Sequence, residues 1–449
     1  MQQDALPHAT GAEGAPPVLS PSSAYEQRCR QALDVALERT AMYRGWRARD
    51  PGPAHGTDAR YSALPVLTKA DIRAHFPYGL VPQGLDLDAA LRRGEVSYVA
   101  TSGTEDEALQ NIWNQAWWDA SERASWALNS VAAATATGSH REAILASALS
   151  VGMRSDGAPI RQPARMLGRF LFLNEYGTTP EWPDGHERRI LDELRDYQPP
   201  VLEANPSLLA RVARWAARTG AEAWQPALIT LTYEFPSALQ LRDIRRVFRS
   251  PVASSHGSTE AGYVFMECEH GRLHQNTQFC RVDLVPVLTG RHVAGGAPRR
   301  IVATTFANAW FPLLRFDVGD LALVAEEPCP CGRREGLTLS SIEGRVKSLC
   351  VTADGGLVTH GQIDRALATV EGLEQYRIDQ EAPRQIRCRV VPEPGQGIRV
   401  ARSVRAALED LFKDGVAVDV TPVTGLSPER SGKFLLALRS FPLEEAPHA

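Results

Sequence analysis

No apolar run in this sequence is long enough to cross a membrane. The most apolar stretch, from Trp126 to Met153, is interrupted by His140, Arg141 and Glu142, whereas a span needs about 20 predominantly apolar residues. The first residues, MQQDALPHATGAEGAPPVLSPSS, lack a charged segment followed by an apolar core, so no secretory leader is read there and a cytoplasmic setting is expected. Lysine and arginine never form a run, and 49 of them stand against 53 acids, for a net charge of −4. Nucleic acid and membrane surfaces call for a concentrated basic field, so neither is an expected partner. Cysteine is scarce and odd in number, with four of the seven between Cys268 and Cys331. In a long cytosolic chain that speaks against a disulfide framework and for a metal. No repeat of fixed period occurs, which excludes solenoids and propellers.

What is present is a chain of 449 residues, 43% of them hydrophobic, too long for one ordinary core, so two or more packed domains are expected. Residues 1–22 are rich in Ala, Gly, Pro and Ser without apolar period and read as a disordered tail. Ala32, Val35, Ala36 and Leu37 recur at helical spacing between Tyr25 and Arg44, and Thr68 with Asp71 forms a capping box. Asn205 before Pro206 opens a helix that carries Leu208, Leu209, Val212 and Trp215 on one face and ends at Gly220. The runs ALITLTY from 227, CRVDLVPVL from 280 and RRIVATTF from 299 read as strands. Strands and helices alternate, which defines the α/β class. After Arg345 the pattern restarts as a smaller unit, with strands near 349, 386 and 416 and helices near 361–370 and 402–413. The expected division is 23–346 and 347–449.

Four short segments carry residues suited to phosphate chemistry. SYVATSGTEDEALQ at 97–110 leads into Thr101, Ser102, Gly103 and Thr104, a turn of hydroxyls and a glycine that can surround a phosphate with donors. The acids Glu105, Asp106 and Glu107 that follow would repel a triphosphate, so this loop alone speaks against nucleotide. SSHGSTEAGYVF at 254–265 delivers Thr259 and Glu260 to a strand end, a hydroxyl to orient a phosphate and a carboxylate to hold Mg²⁺. PLLRFDVGDLALV at 312–324 sets Asp320 at the mouth of a strand, where a carboxylate can accept both hydroxyls of a ribose. SPERSGKFLLALR at 427–439 presents Lys433 after a Ser/Gly turn, a point charge able to reach an α-phosphate. Each pattern alone is as ordinary as a surface turn.

Their types, order and spacing together carry more. The chain runs from LPVLTKADIRAHFPYGL at 64–80 and the hydroxyl loop at 101 through DYQPPVLEANPSLLARV, HGSTEAG, FPLLRFDVGDLA, CPCGRR and EGR at 343–345 to SPERSGK. In these it resembles the phenylacetate-CoA ligase branch of the adenylate-forming superfamily, which also holds acyl-CoA synthetases, luciferases and peptide-synthetase adenylation domains. The resemblance implies a large multi-subdomain N-terminal adenylation domain and a small mobile α+β lid. It implies that a carboxylic acid attacks the α-phosphorus of ATP, pyrophosphate leaves, and the acyl group of the acyl-AMP passes to coenzyme A.

By matching position, the resemblance gives Thr259 the α-phosphate and acyl carboxylate, Glu260 the Mg²⁺, Asp320 the ribose, Arg345 a second ribose or phosphate contact, and Lys433 the catalytic bridge between acid and α-phosphate. Ser102, Gly103, Thr104, Gly257 and Ser258 join the nucleotide site beside Thr101. His256 stands where a tyrosine usually stacks on adenine, and Tyr233, Glu234, Phe235 and Pro236 replace a Gly-Ala-Glu-Pro region beside it. Glu234 is assigned to the nucleotide, and Tyr233, Phe235, Gly262 and Tyr263 to the acyl pocket, although ordinary core aromatics fit Tyr233 and Phe235 about as well. Lys347, two residues after the motif arginine, is the implied hinge, and Gly355 and Gly356 would approach the thiol in the rotated state.

Cys268 and His274, with the CPC pair Cys329 and Cys331, form a Cys₃His set suited to a closed, structural Zn²⁺ site, with His270 and Cys280 as rival ligands. Cys29, Cys350 and Cys388 have no partner pattern and are read as core. The leading reading is an aryl-CoA ligase acting on an aromatic acid of benzoate, aminobenzoate or phenylacetate type, in a chain that relatives of this branch would suggest is a homodimer. A second reading sends the acyl group to an acyl carrier protein or an amine. A third is a degenerate scaffold, favoured by the acidic loop and opposed by the joint presence of Glu260, Asp320, Arg345 and Lys433.

Overall fold

The computed structural model describes residues 22–101, 109–146, 159–175, 182–287, 298–429 and 433–443. A mixed sheet of twelve strands forms the backbone of the large unit. Its parallel half holds Glu142–Leu145, Val201–Ala204, Leu228–Leu231 and the first part of Val252–Ser258. The first three of these strands are buried at every residue, as expected of parallel strands covered on both faces. One face packs on the helices His186–Tyr197 and Pro206–Thr219 through Leu191, Leu194, Leu209 and Val212. The other packs on Gln115–Trp126 and Ser130–Thr135 through Trp126, Ala132, Val201, Leu228 and Ala253.

At Val252–Ser258 the sheet turns antiparallel, pairing with Gly262–Glu267 and continuing to Leu273–Gln275, Thr338–Arg345, Phe316–Val324, Arg299–Thr305 and Cys280–Pro286. The α/β class expected from alternation holds, with this antiparallel half added. Local chemistry explains the helix ends. The Thr68 hydroxyl accepts the Asp71 amide while the Asp71 carboxylate accepts the Thr68 amide at 2.9 Å. The Asn205 carbonyl accepts the Ser207 and Leu208 amides, Pro206 takes the first helical position, and Gly220 closes the helix at φ 71°. The helix expected over 25–44 is α-helical to Asp34, widens into a π-helical turn over Val35–Arg39, and only then tightens into the 3₁₀ turn Ala41–Arg49.

The small unit begins after the 3₁₀ turn Val346–Ser348, which contains Lys347. Its four strands run in the order Ala417–Pro422, Gln385–Pro392, Leu373–Ala382 and Ala437–Arg439, packed on His360–Ala368 and Gly397–Phe412 through Ile363, Leu367, Val404, Leu408 and Phe412. The strand expected near 349 is only Cys350–Val351, while the ten-residue Leu373–Ala382 escaped the sequence reading because its apolar–charged alternation is confined to Tyr376–Asp379. The small unit rests on the large one through the Ala238 amide, which donates to Asp364 at 2.8 Å, and Arg242, which donates to the Leu373 carbonyl at 2.8 Å.

Candidate active site

The strand Val252–Ser258 ends in a tight return. A side chain at Gly257 would run into the Gly262 carbonyl oxygen, and one at Gly262, where φ is 72°, would meet the Trp117 ring and the Ser121 hydroxyl. The Ser258 hydroxyl accepts the Ala261 amide at 3.1 Å and fixes the turn that holds Thr259 half-exposed. Glu260 is buried, with Lys69 Nζ 3.8 Å from its carboxylate. Gly257→Ala therefore forces two backbones apart. We expect it to cost about 1–3 kcal/mol, read as a lower denaturant midpoint at unchanged slope.

Asp320 lies inside the strand Phe316–Val324, not at its mouth as the sequence suggested, because the positive φ of Gly319 absorbs the irregularity just before it. Register sets Asp320 opposite Arg345, whose Nε is 3.3 Å from the carboxylate. His256 Nε2 lies 3.6 Å from the other carboxylate oxygen. Burial depresses the His256 pKa, so the ring is neutral at pH 7. From the small unit comes Lys433. Burial, and then the like charge of Arg345, lowers its pKa, and Glu234, Asp320 and Glu260 are its acidic neighbours. Glu234 accepts the Ser207 hydroxyl at 2.6 Å and the Phe434 amide at 2.7 Å, so it clasps the segment that carries Lys433.

Thr101 pairs with Leu109, its amide donating to the Leu109 carbonyl at 2.9 Å and its hydroxyl accepting the Leu109 amide at 2.9 Å. Ser102, Gly103, Thr104 and the acids 105–107 lie outside the described residues. The structure sets Phe235 against the His360 ring of the small unit, centroids 4.6 Å apart. Tyr233, at φ 74°, and Tyr263 instead turn their hydroxyls to carboxylates the sequence reading missed. Tyr233 donates to Glu203 and Tyr263 to Glu122, the latter at 2.8 Å. The available signal covered only Glu203, an acid inside the apolar strand VLEA, whereas Glu122 lies on the helix Gln115–Trp126 among other polar residues and gave none.

Cys268, His274, Cys329 and Cys331 place one ligand atom each within 4.8 Å of one another. Cys268 and Cys329 Sγ are 3.6 Å apart, close to the roughly 3.8 Å edge of a tetrahedron with Zn–S bonds of about 2.3 Å. Cys331 Sγ is 3.2 Å from His274 Nε2, and Thr338 Oγ1, at 3.3 Å from Nδ1, orients the ring from behind. Of the rivals, Cys280 is fully buried with its thiol 3.4 Å from the Asn276 carbonyl, and His270 offers Cys268 its backbone amide. Cys29, Cys350 and Cys388 are buried in the apolar cores. No helix among the described residues is long and apolar enough to cross a membrane.

No family model matches the chain. It is similar to the phenylacetate-coenzyme A ligase of Thermus thermophilus, 25% identical over 372 residues, 79% of this chain and 76% of that protein. It is also 25% identical to protein CapK of Staphylococcus aureus over 226 residues, and there it spans only 50% of this chain and 49% of that relative. Among solved structures, a 2-hydroxyisobutyryl-CoA ligase in the postadenylation state superposes with a TM-score of 0.68 at 18% identity, covering 91% of this chain and 87% of that one. The same enzyme in its thioesterification state gives 0.55, over 93% of this chain and 89% of that one. The chain thus shares its fold with acyl-CoA ligases and is similar in sequence to a phenylacetate-coenzyme A ligase over most of both chains.

Proposed function

We propose that this protein activates a carboxylic acid with ATP as the acyl-AMP and then transfers the acyl group to the thiol of coenzyme A. The observation that carries the reading is the docking of the Lys433 segment on the large unit, where Glu234 accepts the Phe434 amide at 2.7 Å and Arg345 pairs with Asp320 at 3.3 Å. In the first step an oxygen of the acid's carboxylate attacks the α-phosphorus and the bond to pyrophosphate breaks. Two anions must approach, so positioning and fixed positive charge do most of the work. Lys433 bridges acid and α-phosphate, Thr259 orients both, and Asp320, held by Arg345, takes the ribose hydroxyls. His256, neutral and flat, faces the adenine. Glu260 offers a single buried carboxylate, which suits a Mg²⁺ otherwise held by phosphates, and Lys69 steadies it.

In the proposed division, 23–346 binds ATP and acid while 347–449 is a lid that pivots at Lys347. Support comes from the higher TM-score against the postadenylation state of the hydroxyisobutyryl-CoA ligase than against its thioesterification state. An aromatic acid is favoured by the name of the phenylacetate-CoA ligase relative. A carrier-protein thiol is the alternative acceptor, and the Cys₃His set is read as a structural zinc site. The test is acid-dependent exchange of labelled pyrophosphate into ATP over benzoic, aminobenzoic, phenylacetic and aliphatic acids. No exchange with any acid, in folded and zinc-replete protein, would sink the reading.

The lowered pKa of Lys433 gives a pH prediction. Its ammonium is lost as pH rises through a value below the ordinary lysine range, so adenylation loses rate on an alkaline limb earlier than a free lysine would set. Arg345→Gln removes a like charge, and the limb should move to higher pH, as seen in the kcat profile.

A further inference from the structure

A cluster of three carboxylates, Glu122, Glu142 and Glu203, lies between the parallel sheet and the helix Gln115–Trp126, reached by the hydroxyls of Tyr233 and Tyr263. Glu203 stands opposite Ile144 on one side and Thr230 on the other, and Thr230 stands opposite Ala253. Side chains two apart on a strand share a face, so Glu142, Glu203, Thr230 and Ser255 all point to the side covered by the helix Gln115–Trp126. Glu122 comes down from that helix. Glu142 and Glu203 are 4% and 8% exposed.

The partners of these acids are unequal. Glu142 has His140 Nε2 at 3.1 Å and Arg169 at 3.4 Å. Among the described residues Glu122 and Glu203 have no ion-pair partner, and each accepts one tyrosine hydroxyl, from Tyr263 and Tyr233. Burial and mutual repulsion with Glu142 raise the pKa of both. Ser255, 9% exposed and on the same face, has a buried hydroxyl without a hydrogen-bond partner among the described residues. A ligand with a hydrogen-bonding group would satisfy such a hydroxyl. The ring of Tyr263, with Trp118 packed on it at 5.0 Å, adds an aromatic wall. Acceptors in excess, one vacant hydroxyl and aromatic faces are complementary to a positively charged donor.

We propose that the acid activated here carries an ammonium group, which Glu203 and Glu122 bind at the end of the pocket remote from the reacting carboxylate. The proposal rests on the adenylation reading and names the substrate class for it. Tyr233 links the two ends, since its neighbour Glu234 holds the Lys433 segment while its own hydroxyl bonds Glu203. In the empty site burial and the neighbouring carboxylates Glu142 and Glu122 favour the protonated form of Glu203. An arriving ammonium stabilises the carboxylate, and that proton leaves to solvent.

The test uses matched acids of equal shape, 4-(aminomethyl)benzoate against 4-methylbenzoate and 6-aminohexanoate against hexanoate. In pyrophosphate exchange by the wild-type protein, the ammonium member of at least one pair should exceed its neutral partner by about 10–100-fold in kcat/KM. Glu203→Gln and Glu122→Gln should each erase that preference while leaving exchange with neutral acids measurable. Calorimetry in buffers of different ionisation enthalpy should record proton release on binding the ammonium acid and none with its neutral partner. Equal or better use of the neutral acids in both pairs would overturn the proposal and leave adenylation standing. If no acid supports exchange, adenylation is lost, and calorimetry decides the charge preference alone: binding with proton release, abolished in Glu203→Gln, upholds it, and its absence overturns it.

Discussion

Lys433→Ala should lower acid-dependent pyrophosphate exchange by about 10²–10³-fold, the usual effect of removing one preorganised charge from the transition state of a group transfer. The reason lies in where the lysine comes from. Its segment is pinned to the large unit by the Phe434 amide on Glu234, and its ammonium is desolvated among Glu234, Asp320 and Glu260. Alanine keeps the pin and removes only the charge. Thioester formation from supplied acyl-adenylate should therefore stay close to wild type, because in that half-reaction the α-phosphate has already been joined. Equal loss in both half-reactions would show that Lys433 supports the fold of the site and does not act on phosphate.

The second large effect concerns metal. Zinc removal, or Cys329→Ser, should lower the thermal transition of the large unit on the order of 10 °C, since a closed Cys₃His site contributes its binding energy to folding and several kcal/mol shift a transition by that amount. The four candidate ligands come from the Cys268–Arg272 turn, the strand Leu273–Gln275 and the Cys329–Gly332 turn, so the ion would tie together two turns that the Arg333–Glu269 ion pair also joins. One zinc per chain, lost on unfolding with a chelator, is the expected content. A protein that holds no zinc at full stability would make the cluster a set of plain thiols.

Much of this was legible beforehand. Caps are local, so Thr68–Asp71 and Asn205–Pro206–Gly220 announced their helices, and the clustering of Cys268, His274, Cys329 and Cys331 was announced by spacing and residue type. Asp320 was misplaced because a bulge at Gly319 is indistinguishable in sequence from a turn before a strand. The carboxylate cluster was invisible for another reason. Glu122, Glu142 and Glu203 lie on three elements far apart in the chain, and only the register of a parallel sheet brings the latter two to one face. Tyr233 and Tyr263 were found by position, but their hydroxyl partners had to be seen.

The stretch Tyr233–Ala238 touches both ends of the machinery. Tyr233 faces the carboxylate cluster, Glu234 holds the Phe434 amide, Phe235 lies on His360, and the Ala238 amide binds Asp364. Six consecutive residues thus touch the carboxylate cluster, the proposed seat of the acid, on one side and the small unit on the other. Free-energy linkage is reciprocal. Whatever preference the small unit's two postures have for one acid over another must reappear as a shift of those postures when that acid binds, so selectivity and timing become one quantity measured from two directions.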